Sequence, residues 1–404
     1  MRYLFIHQNF PGQFLHLVRR LVLDPDNHVL FISEPTENGI PGVRNFTYVP
    51  PVANAGTFDE AQEFEAALLR ARIVQTLGER LRALGFRPDI IVGHHGWGEL
   101  LNLRDVWPGV PVLGYFEFFY RTEGLDVGFD PEFMDPPGGL AKVRAKNAIN
   151  LLALESPGHG QTPTQFQLST YPVWAQERIT LLPEGVNLVA CRPDPAVRAA
   201  PMRLGEMDVL PGDKLVTFVS RDLEPYRGFH TMMRALPALH RARPDLKVVM
   251  IGRDEVSYGA RIVDRTWREY LMAEVGGQID LARVSFPGRV PYGQFVEVLQ
   301  RSDAHVYLTY PFVLSWSLRE ALACGCAVVG SDTAPVREFV THRKTGLLVR
   351  FPDAGALAEG VLEVLEDTKL AGRMGKGARR FAERAFDMER YLAAYEGLIA
   401  RLVG

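Results

Sequence analysis

The chain has 404 residues, of which 47% are hydrophobic and 23% are charged, and its formal net charge at pH 7 is -3. This length predicts two or three domains, and the hydrophobic fraction is sufficient for large buried cores. The near balance of charge argues against nucleic acid as a partner, because proteins that bind duplexes usually have a strong basic excess.

Short apolar, β-branched runs alternate with helical patterns along the first half of the chain. This alternation predicts a parallel sheet covered by helices. The predicted strands are Tyr3–Ile6, His28–Ser33, Asp89–Gly93, Val112–Phe116 and Thr180–Leu182. A helix is predicted to follow the first strand, beginning after Pro11 and Gly12.

The segment from Ala66 to Arg87 contains apolar residues at helical spacing, with arginines between them. The spacing predicts an ordinary amphipathic helix with one buried stripe. The alternative is that the arginines contact the surface of a membrane. The predicted stripe consists of Leu69, Ile73, Leu77, Leu81 and Leu84.

The second half repeats the same plan. Its predicted strands are Lys214–Ser220, Lys247–Gly252, Val284–Phe286, His305–Leu308 and Ala327–Gly330, and its clearest helices are 228–243, 354–366 and 370–404. The proline-rich segment between the halves has no periodicity and is predicted to be a linker. We therefore predict an α/β protein with two doubly wound domains, residues 1–190 and 210–385, facing across a cleft lined by the carboxyl ends of the strands.

Cysteine usage and the N-terminus indicate the compartment. Only Cys191, Cys324 and Cys326 occur, which predicts no disulfide framework and fits a reducing environment. Cys324 and Cys326 could form half of a metal site, or they could be small buried residues between a helix and a strand. The N-terminal apolar run is too short for a signal peptide, and no stretch approaches the ~20 apolar residues of a membrane span. We expect a cytoplasmic protein, with the inner face of the membrane as the alternative location.

The most informative segment follows the predicted strand His305–Leu308. There Ser315 and Ser317 open a helix that contains Glu320 about one turn from its start. Exposed N–H groups and the helix dipole favour anions at such a start, and a carboxylate one turn in could accept hydrogen bonds from a ribose. The alternative is a capped surface helix with a solvated glutamate.

Two arginines, Arg221 and Arg227, flank a proline turn between a predicted strand and a helix. Guanidinium groups fixed at the carboxyl end of a strand suit bidentate contact with a diphosphate. The alternative is that they are surface arginines paired with Asp222 and Glu224.

Three loops in the first half contain further candidates. Gly12 lets the backbone approach a ligand at a helix start, although the segment does not match G-x-G-x-x-G. His94 and His95 are poor joint ligands for one metal, because neighbouring side chains point apart, so each is either a core histidine or a substrate contact. Glu117 lies among aromatic residues, where it is either functional or paired with Arg121.

Taken together, these segments resemble the retaining glycosyltransferases of family 4, which have the GT-B fold. The resemblance covers nearly the whole chain and is strongest from residue 218 to residue 349. It includes Arg221, Arg227, the run P-G-R-V-P-Y from Pro287, E-A-L-A-C-G from Glu320, S-D-T-A-P-V-R-E from Ser331 and T-G-L-L-V from Thr345. By this resemblance, the stretch 386–404 is a helix that crosses back to the first domain.

The resemblance implies a nucleotide-sugar donor bound mostly to the second domain. Arg221 and Arg227 would hold its diphosphate and Glu320 its ribose. Gly12 and the backbone of Leu314, Ser315, Trp316, Ser317 and Leu318 would approach the phosphates, and Gly252, Arg289 and Val290 would lie near the base. No metal or other cofactor is expected, because the arginines and helix starts would stabilise the leaving group.

The acceptor is expected at the first domain and would be a sugar, a lipid-linked molecule or a protein. The candidate acceptor contacts are His95, Trp97 and Tyr120. The predicted catalytic residues are Glu117, His94, Arg221 and Arg227.

Two positions depart from the family pattern. Counting back from Glu320, the first glutamate of the family's E-x7-E motif falls at Phe312, so the acid that usually meets the donor sugar is missing. The chain also has Glu117 near a strand end where the family often has histidine. Two alternative functions stay open: a nucleotide-sugar epimerase of the same fold, and a non-catalytic protein that binds nucleotide sugars.

Overall fold

The computed structural model describes residues 1–133, 139–156 and 158–404, and the chain divides into two compact units. The first unit contains residues 1–184 and 389–404, and the second contains residues 185–388. Each unit is an α/β domain built on a parallel sheet, as the alternation of apolar runs and helical patterns predicts.

The sheet of the first unit is parallel throughout its described strands. They are β1 (Arg2–Ile6), β2 (His28–Ser33), β3 (Val43–Thr47), β4 (Ile90–His94), β5 (Val112–Tyr115), β6 (His159–Thr162) and β7 (Ile179–Leu181). Their order across the sheet is β3-β2-β1-β4-β5-β6-β7. The central strands are almost entirely buried, because helices cover both faces, and this explains why they appear as continuous apolar runs.

Helices connect these strands. They are α1 (Leu15–Leu21), α2 (Gln62–Ala83), α3 (Leu103–Val106), α4 (Gly139–Glu155), α5 (Gln165–Thr170) and α6 (Val173–Gln176). The stripe predicted for α2 is partly wrong. Its fully buried face is formed by Ala67, Ala71, Val74, Gly78 and Leu81, whereas Leu84 is 83% exposed. Small residues on this face let the helix lie close to α3, since a Cβ at Gly78 would lie 3.2 Å from the Trp107 ring and 3.3 Å from Val106.

The second unit contains a short antiparallel pair followed by a parallel sheet. The pair is β8 (Met202–Leu204) and β9 (Met207–Val209); the sheet strands are β10 (Lys214–Asp222), β11 (Leu246–Arg253), β12 (Val284–Gly288), β13 (Ala304–Tyr307), β14 (Val328–Ser331) and β15 (Gly346–Val349). In the described part of the chain the sheet order is β12-β11-β10-β13-β14-β15. The segment predicted to be a linker is thus structured, and it belongs to the second unit.

The remaining helices are α7 (Pro195–Ala199), α8 (Phe229–Ala242), α9 (Trp267–Val275), α10 (Tyr292–Arg301), α11 (Trp316–Ala323), α12 (Ala334–Phe339), α13 (Ala354–Glu366), α14 (Thr368–Ala385) and α15 (Met388–Val403). The single helix predicted over 370–404 is therefore two helices. The chain bends between them, where Val186 bridges to Asp387. In the first unit, Arg20 holds α15 through Glu389 at 3.2 Å and Glu396 at 3.6 Å. No helix within the described ranges is long and apolar enough to cross a membrane.

Each sheet has a topological switch point at its centre. Strand β1 lies between β2 and β4, and β10 lies between β11 and β13. The connections leave such a central strand in opposite directions, which opens a crevice at its carboxyl end where α/β proteins bind ligands. The loops after β1 and β4, and those after β10 and β13, are thus the places to examine for a site.

Candidate active site

The loop after β10 is tied to the loop after β13 by Arg227. Its Nη1 donates to Thr309 Oγ1 at 2.7 Å and to the carbonyl oxygen of Val313 at 2.9 Å. The guanidinium also lies 4.9 Å from the centre of the Tyr258 ring, and the residue is 5% exposed. A buried charge requires such partners. Arg227 is thus engaged by the protein itself, which favours a positioning role over the predicted direct contact with a diphosphate.

Gly228 lets this loop approach the end of β13. It has a φ of 70°, and a Cβ at this position would lie 2.4 Å from the Cβ of Leu308. A glycine is therefore required both for the left-handed backbone and for the close contact. Helix α8 begins directly after it, and the first N–H of the helix, that of Phe229, donates to the carbonyl oxygen of Glu224 at 3.3 Å.

Arg221 differs from Arg227 because it is exposed. No hydrogen bond or ion pair to another described residue holds its guanidinium. The alternative pairing with Asp222 and Glu224 is not observed. Asp222 instead accepts two hydrogen bonds from Arg253, at 2.7 and 3.0 Å, and Glu224 accepts from the backbone of residues 257–259 at 2.9 to 3.2 Å. The two acids thus shape the next loop, and Arg221 is left facing solvent at the end of β10.

Helix α11 begins at the switch point, after β13. Ser315 caps it by accepting a hydrogen bond from Ser317 N–H, and the Ser315 N–H donates to the hydroxyl of Tyr307 at 2.8 Å. One turn in, the Glu320 carboxylate accepts from the hydroxyl of Tyr292 at 2.9 Å. Burial raises the pKa of the Glu320 carboxyl. Glu320 is thus a partly buried, oriented acceptor and not a solvated surface glutamate.

Phe312, the position at which the resemblance places the first motif glutamate, has a buried side chain. Its ring centroid lies 5.2 Å from that of Tyr226 and 5.0 Å from that of Tyr258. Tyr226 in turn stacks on Tyr310 at 4.5 Å. The motif position is therefore part of an aromatic cluster, which consists of Tyr226, Tyr258, Tyr310 and Phe312.

The other predicted donor contacts are more dispersed. Gly252 is buried near the end of β11, whereas Arg289 and Val290 follow β12 at the sheet edge, with Arg289 exposed. Leu314 and Trp316 are partly buried, and the Leu318 side chain belongs to the core, so only its backbone is available to a ligand. The switch point thus brings together Arg221, the start of α11 and Glu320. The residues after β12 lie two strands away from β10.

In the first unit, the loops after β1 and β4 meet through aromatic contacts. The His94 ring stacks on Trp97 with centroids 4.0 Å apart, and His7 lies 5.5 Å from His94 and 5.2 Å from Trp97. Gly12 has a φ of 55° and packs directly on the His7 ring. A Cβ at position 12 would lie only 2.7 Å from that ring, so a larger residue would not fit. Sequence analysis did not single out His7. Its position directly after a buried strand is the signal that could have identified it.

His94 faces Glu117. His94 Nδ1 accepts a hydrogen bond from the Gly96 N–H at 2.9 Å, so a neutral ring has its proton on Nε2. That Nε2 lies 3.5 Å from Glu117 Oε2, and the Glu117 side chain is 29% exposed. The alternative that Glu117 pairs with Arg121 is wrong, because Arg121 donates to the carbonyl oxygen of Thr170 at 3.0 Å. A histidine and a solvent-accessible carboxylate are thus paired at the carboxyl ends of the interior strands β4 and β5.

His95, by contrast, is a core residue. A Cβ at Gly114 would lie 1.8 Å from its ring, and Phe116 packs against it with centroids 4.7 Å apart. Burial, with smaller effects from His94 and Arg104, lowers the pKa of His95 to about 3. This placement argues against the acceptor contact predicted for His95. Trp97 and Tyr120 are partly exposed.

The buried, neutral His95 predicts acid sensitivity. Between pH 6.5 and about 3, the unfolded state binds a proton that the native state does not, so stability falls as the pH falls. We expect wild type to lose about 1.4 kcal/mol more than a His95→Leu variant between pH 7.5 and pH 5.5. Urea unfolding at both pH values measures this difference. Equal losses in the two proteins would contradict the neutral, buried state of His95.

Solved structures with the same architecture identify the fold. Sucrose-phosphate synthase of Thermosynechococcus elongatus aligns over 100% of this chain and 99% of its own, with a TM-score of 0.73 and 20% identity. Anabaena HepE in complex with UDP and glucose aligns over 100% of both chains, with a TM-score of 0.67 and 18% identity. Two Rossmann-like units of this kind define the GT-B fold, and the chain has this α/β fold.

Sequence comparison identifies the family. The model described as glycosyl transferase family 4 group matches residues 25–191, and that described as glycosyl transferases group 1 matches residues 207–381. The GDP-mannose-dependent alpha-(1-6)-phosphatidylinositol monomannoside mannosyltransferase of Mycobacterium tuberculosis is 30% identical over 361 residues, which are 83% of each chain. The chain belongs to the family 4 type of glycosyltransferases.

Proposed function

We propose that the protein is a retaining glycosyltransferase that moves a sugar from a nucleoside-diphosphate sugar to a hydroxyl acceptor, in the synthesis of a glycan, polysaccharide or glycoconjugate. The main support is the switch point of the second sheet. There exposed Arg221 and the start of α11 lie at the ends of β10 and β13, which pair directly. The related proteins support the donor class, since one is named for GDP-mannose and another was solved with UDP.

In this proposal the donor diphosphate lies between Arg221 and the first N–H groups of α11. A guanidinium suits bidentate contact with phosphate oxygens, and a helix start adds favourable amide dipoles. Glu320, oriented by Tyr292, accepts hydrogen bonds from the ribose hydroxyls. Arg227 is a positioning residue, because its hydrogen bonds to Thr309 and Val313 hold the loop that leads to α11.

The proposed mechanism follows from where charge develops as the bond between the sugar and the diphosphate breaks. As the sugar–phosphate bond breaks, negative charge grows on the diphosphate, and Arg221 and the α11 start stabilise it. Retention is consistent with attack from the same face, with the departing phosphate oxygen accepting the proton of the acceptor hydroxyl. In the first unit, Glu117 beside His94 orients that hydroxyl or stabilises positive charge on the sugar, and partly exposed Trp97 and Tyr120 are the acceptor contacts. The proposal includes no metal.

A thermal-shift series with UDP, GDP and ADP tests the donor site, since a ligand bound only by the native state raises the apparent stability. Replacing Arg221 by Ala should weaken binding of the preferred nucleotide about 10- to 100-fold, the range for losing one charge-assisted contact. Arg241→Ala is the matched control, because Arg241 is exposed near the end of α8, away from the crevice. Equal affinities of the two variants would exclude Arg221 from the diphosphate site.

The buried Phe312 favours a second candidate, a protein that binds nucleotide sugars without transferring them. Incubation of the preferred donor with a panel of hydroxyl acceptors separates the two functions. A transferase forms a glycoside whose anomeric configuration, measured by NMR, matches that of the donor. Donor binding without any product would favour the non-catalytic alternative, and a new sugar nucleotide formed from donor alone would indicate an epimerase.

A further inference from the structure

The second unit contains a cavity of about 610 Å³ at the end of the sheet opposite the switch-point crevice. Its lining includes Lys214, the first residue of β10, as well as Asp303 and Ala327, which directly precede β13 and β14. Strand β10 has nine residues, so at about 3.3 Å per residue its two ends are about 25 Å apart. The cavity is therefore separate from the crevice that contains Arg221.

One wall of the cavity is a single face of α14. The lining positions recur every three or four residues from Thr368 to Arg380, and the middle of the face is small because it contains Ala371 and Gly372. A Cβ at Gly372 would meet nothing within 4 Å. The space is thus left open by the small residues of α14. Its apolar lining also includes exposed Pro193, whereas Val364 and Leu365 of α13 are 2% and 3% exposed and contribute little accessible surface.

The charged residues of the lining are strongly unbalanced. They comprise five cations and one carboxylate, namely Arg198, Lys214, Lys376, Arg379, Arg380 and Asp303. Asp303 is already shared by Arg198 at 2.8 Å, Lys214 at 3.3 Å and the nearby Arg301 at 3.1 Å.

Two of these cations are free to meet a ligand. Arg379 is satisfied by Glu383 at 2.7 Å and by main-chain carbonyl oxygens, including that of Ala323 at 2.9 Å. Lys376 and Arg380 are exposed, and within the described ranges no group forms a hydrogen bond or ion pair with them. They lie one turn apart on α14. Together they form an uncompensated cationic pair at the edge of an apolar space.

We propose that this cavity binds an anionic amphiphile, a molecule with one phosphate or carboxylate group on a single apolar chain. The headgroup pairs with Lys376 and Arg380, where charge-assisted hydrogen bonds are strongest. The apolar chain lies against Pro193 and Ala371 and in the open space at Gly372, and the volume falls within the range of small-molecule sites. A purely polar anion would make no contact with the apolar lining of the cavity, and a neutral amphiphile would leave Lys376 and Arg380 unpaired. This site is independent of the proposed transfer reaction.

Binding of octyl phosphate to the full chain, measured by calorimetry below its micelle concentration, tests the proposal. We expect saturable binding that is at least 10-fold tighter than that of inorganic phosphate or octyl glucoside, and that saturating UDP, GDP or ADP does not alter. The proposal would be overturned if inorganic phosphate or octyl glucoside bound comparably well. It would also be overturned if a nucleotide displaced octyl phosphate or if octyl phosphate did not bind.

Variants locate the site. The double change Lys376→Ala and Arg380→Ala should weaken octyl phosphate binding at least 10-fold. The charge-matched control, Lys369→Ala with Arg373→Ala, removes two exposed cations of the same helix that lie outside the cavity lining and should leave binding unchanged. Gly372→Leu should also abolish binding, because its side chain fills the open space while a helix tolerates leucine better than glycine. Unchanged affinity in the double variant and in the Gly372→Leu variant would refute the assignment.

Discussion

Replacing Glu117 by Gln is expected to lower kcat by about 10²- to 10⁴-fold, the usual contribution of a positioned acid or base. The carboxylate lies 3.5 Å from His94 Nε2 and 3.5 Å from Gln13 Nε2, so it is held near the carboxyl end of β5 while remaining 29% exposed. Glutamine keeps the size and part of the hydrogen bonding but removes the negative charge. Any step that needs that charge, in orienting a hydroxyl or stabilising a cationic sugar, should therefore fail.

The same variant should bind its nucleoside diphosphate almost as well as wild type. The residues proposed for the diphosphate and the ribose, Arg221 and Glu320, belong to the second unit, whereas Glu117 belongs to the first. Initial rates of nucleoside diphosphate release measure turnover, and calorimetry measures affinity. Glu123→Gln is the matched control, because Glu123 is an exposed carboxylate a short distance along the same loop. Unchanged turnover in Glu117→Gln would remove this residue from the chemistry.

Restoring the family's glutamate by Phe312→Glu should destabilise the protein by about 3 kcal/mol or more and should not raise turnover. Loss of a buried phenyl ring alone costs about 3–5 kcal/mol when it is truncated, and a carboxylate among aromatic rings adds a desolvation penalty. Phe312 is 4% exposed and lies between Tyr226 and Tyr258. A carboxylate at position 312 would thus be buried among aromatic rings, where its desolvation is costly.

The pH dependence of stability distinguishes the cost of burying a charge from the cost of losing the phenyl ring. A buried glutamate has a raised pKa, so protonation at lower pH neutralises it, and the deficit of Phe312→Glu relative to Phe312→Leu should shrink as the pH falls from 7.5 towards 5. Phe312→Leu itself should cost less than about 1.5 kcal/mol, because it keeps an apolar side chain of similar volume. Urea unfolding of both variants at several pH values measures these differences. Equal stability of the two variants at pH 7.5 would show that the position tolerates a carboxylate.

If Phe312→Glu behaves as expected, the proposed transfer reaction does not require an acid at position 312. The ring cluster is fixed by Tyr310, which stacks on Tyr226, and by Arg227, which lies over Tyr258. A sugar near this cluster would meet aromatic edges and tyrosine hydroxyls in place of a carboxylate. Donor specificity is therefore expected to differ from that of relatives that keep the full E-x7-E motif.

The sequence by itself determined the architecture and the parts of the site that depend on local structure. Buried parallel strands are continuous apolar runs, so β1, β4, β10 and β11 were predictable. The helix start at Ser315 was predictable because a cap is a contact between neighbouring residues. In the first sheet, strands β3 and β6 were missed, since their sequences, VRNFT and HGQT, are largely polar and have no apolar run. In the second sheet, β15 was missed although its sequence, GLLV, is largely apolar, because so short a run does not distinguish a strand from other buried segments.

Only the tertiary structure decided which side chains are available for chemistry. Arg221 and Arg227 look equivalent in the sequence, yet Arg227 is buried by Thr309, which lies 82 residues away. His94 faces Glu117 while the adjacent His95 packs against Phe116, because successive side chains of an extended chain point to opposite faces. Both histidines are buried, and only packing decides which of them meets the carboxylate. Burial and pairing depend on residues that are distant along the chain, and a local pattern contains no information about them.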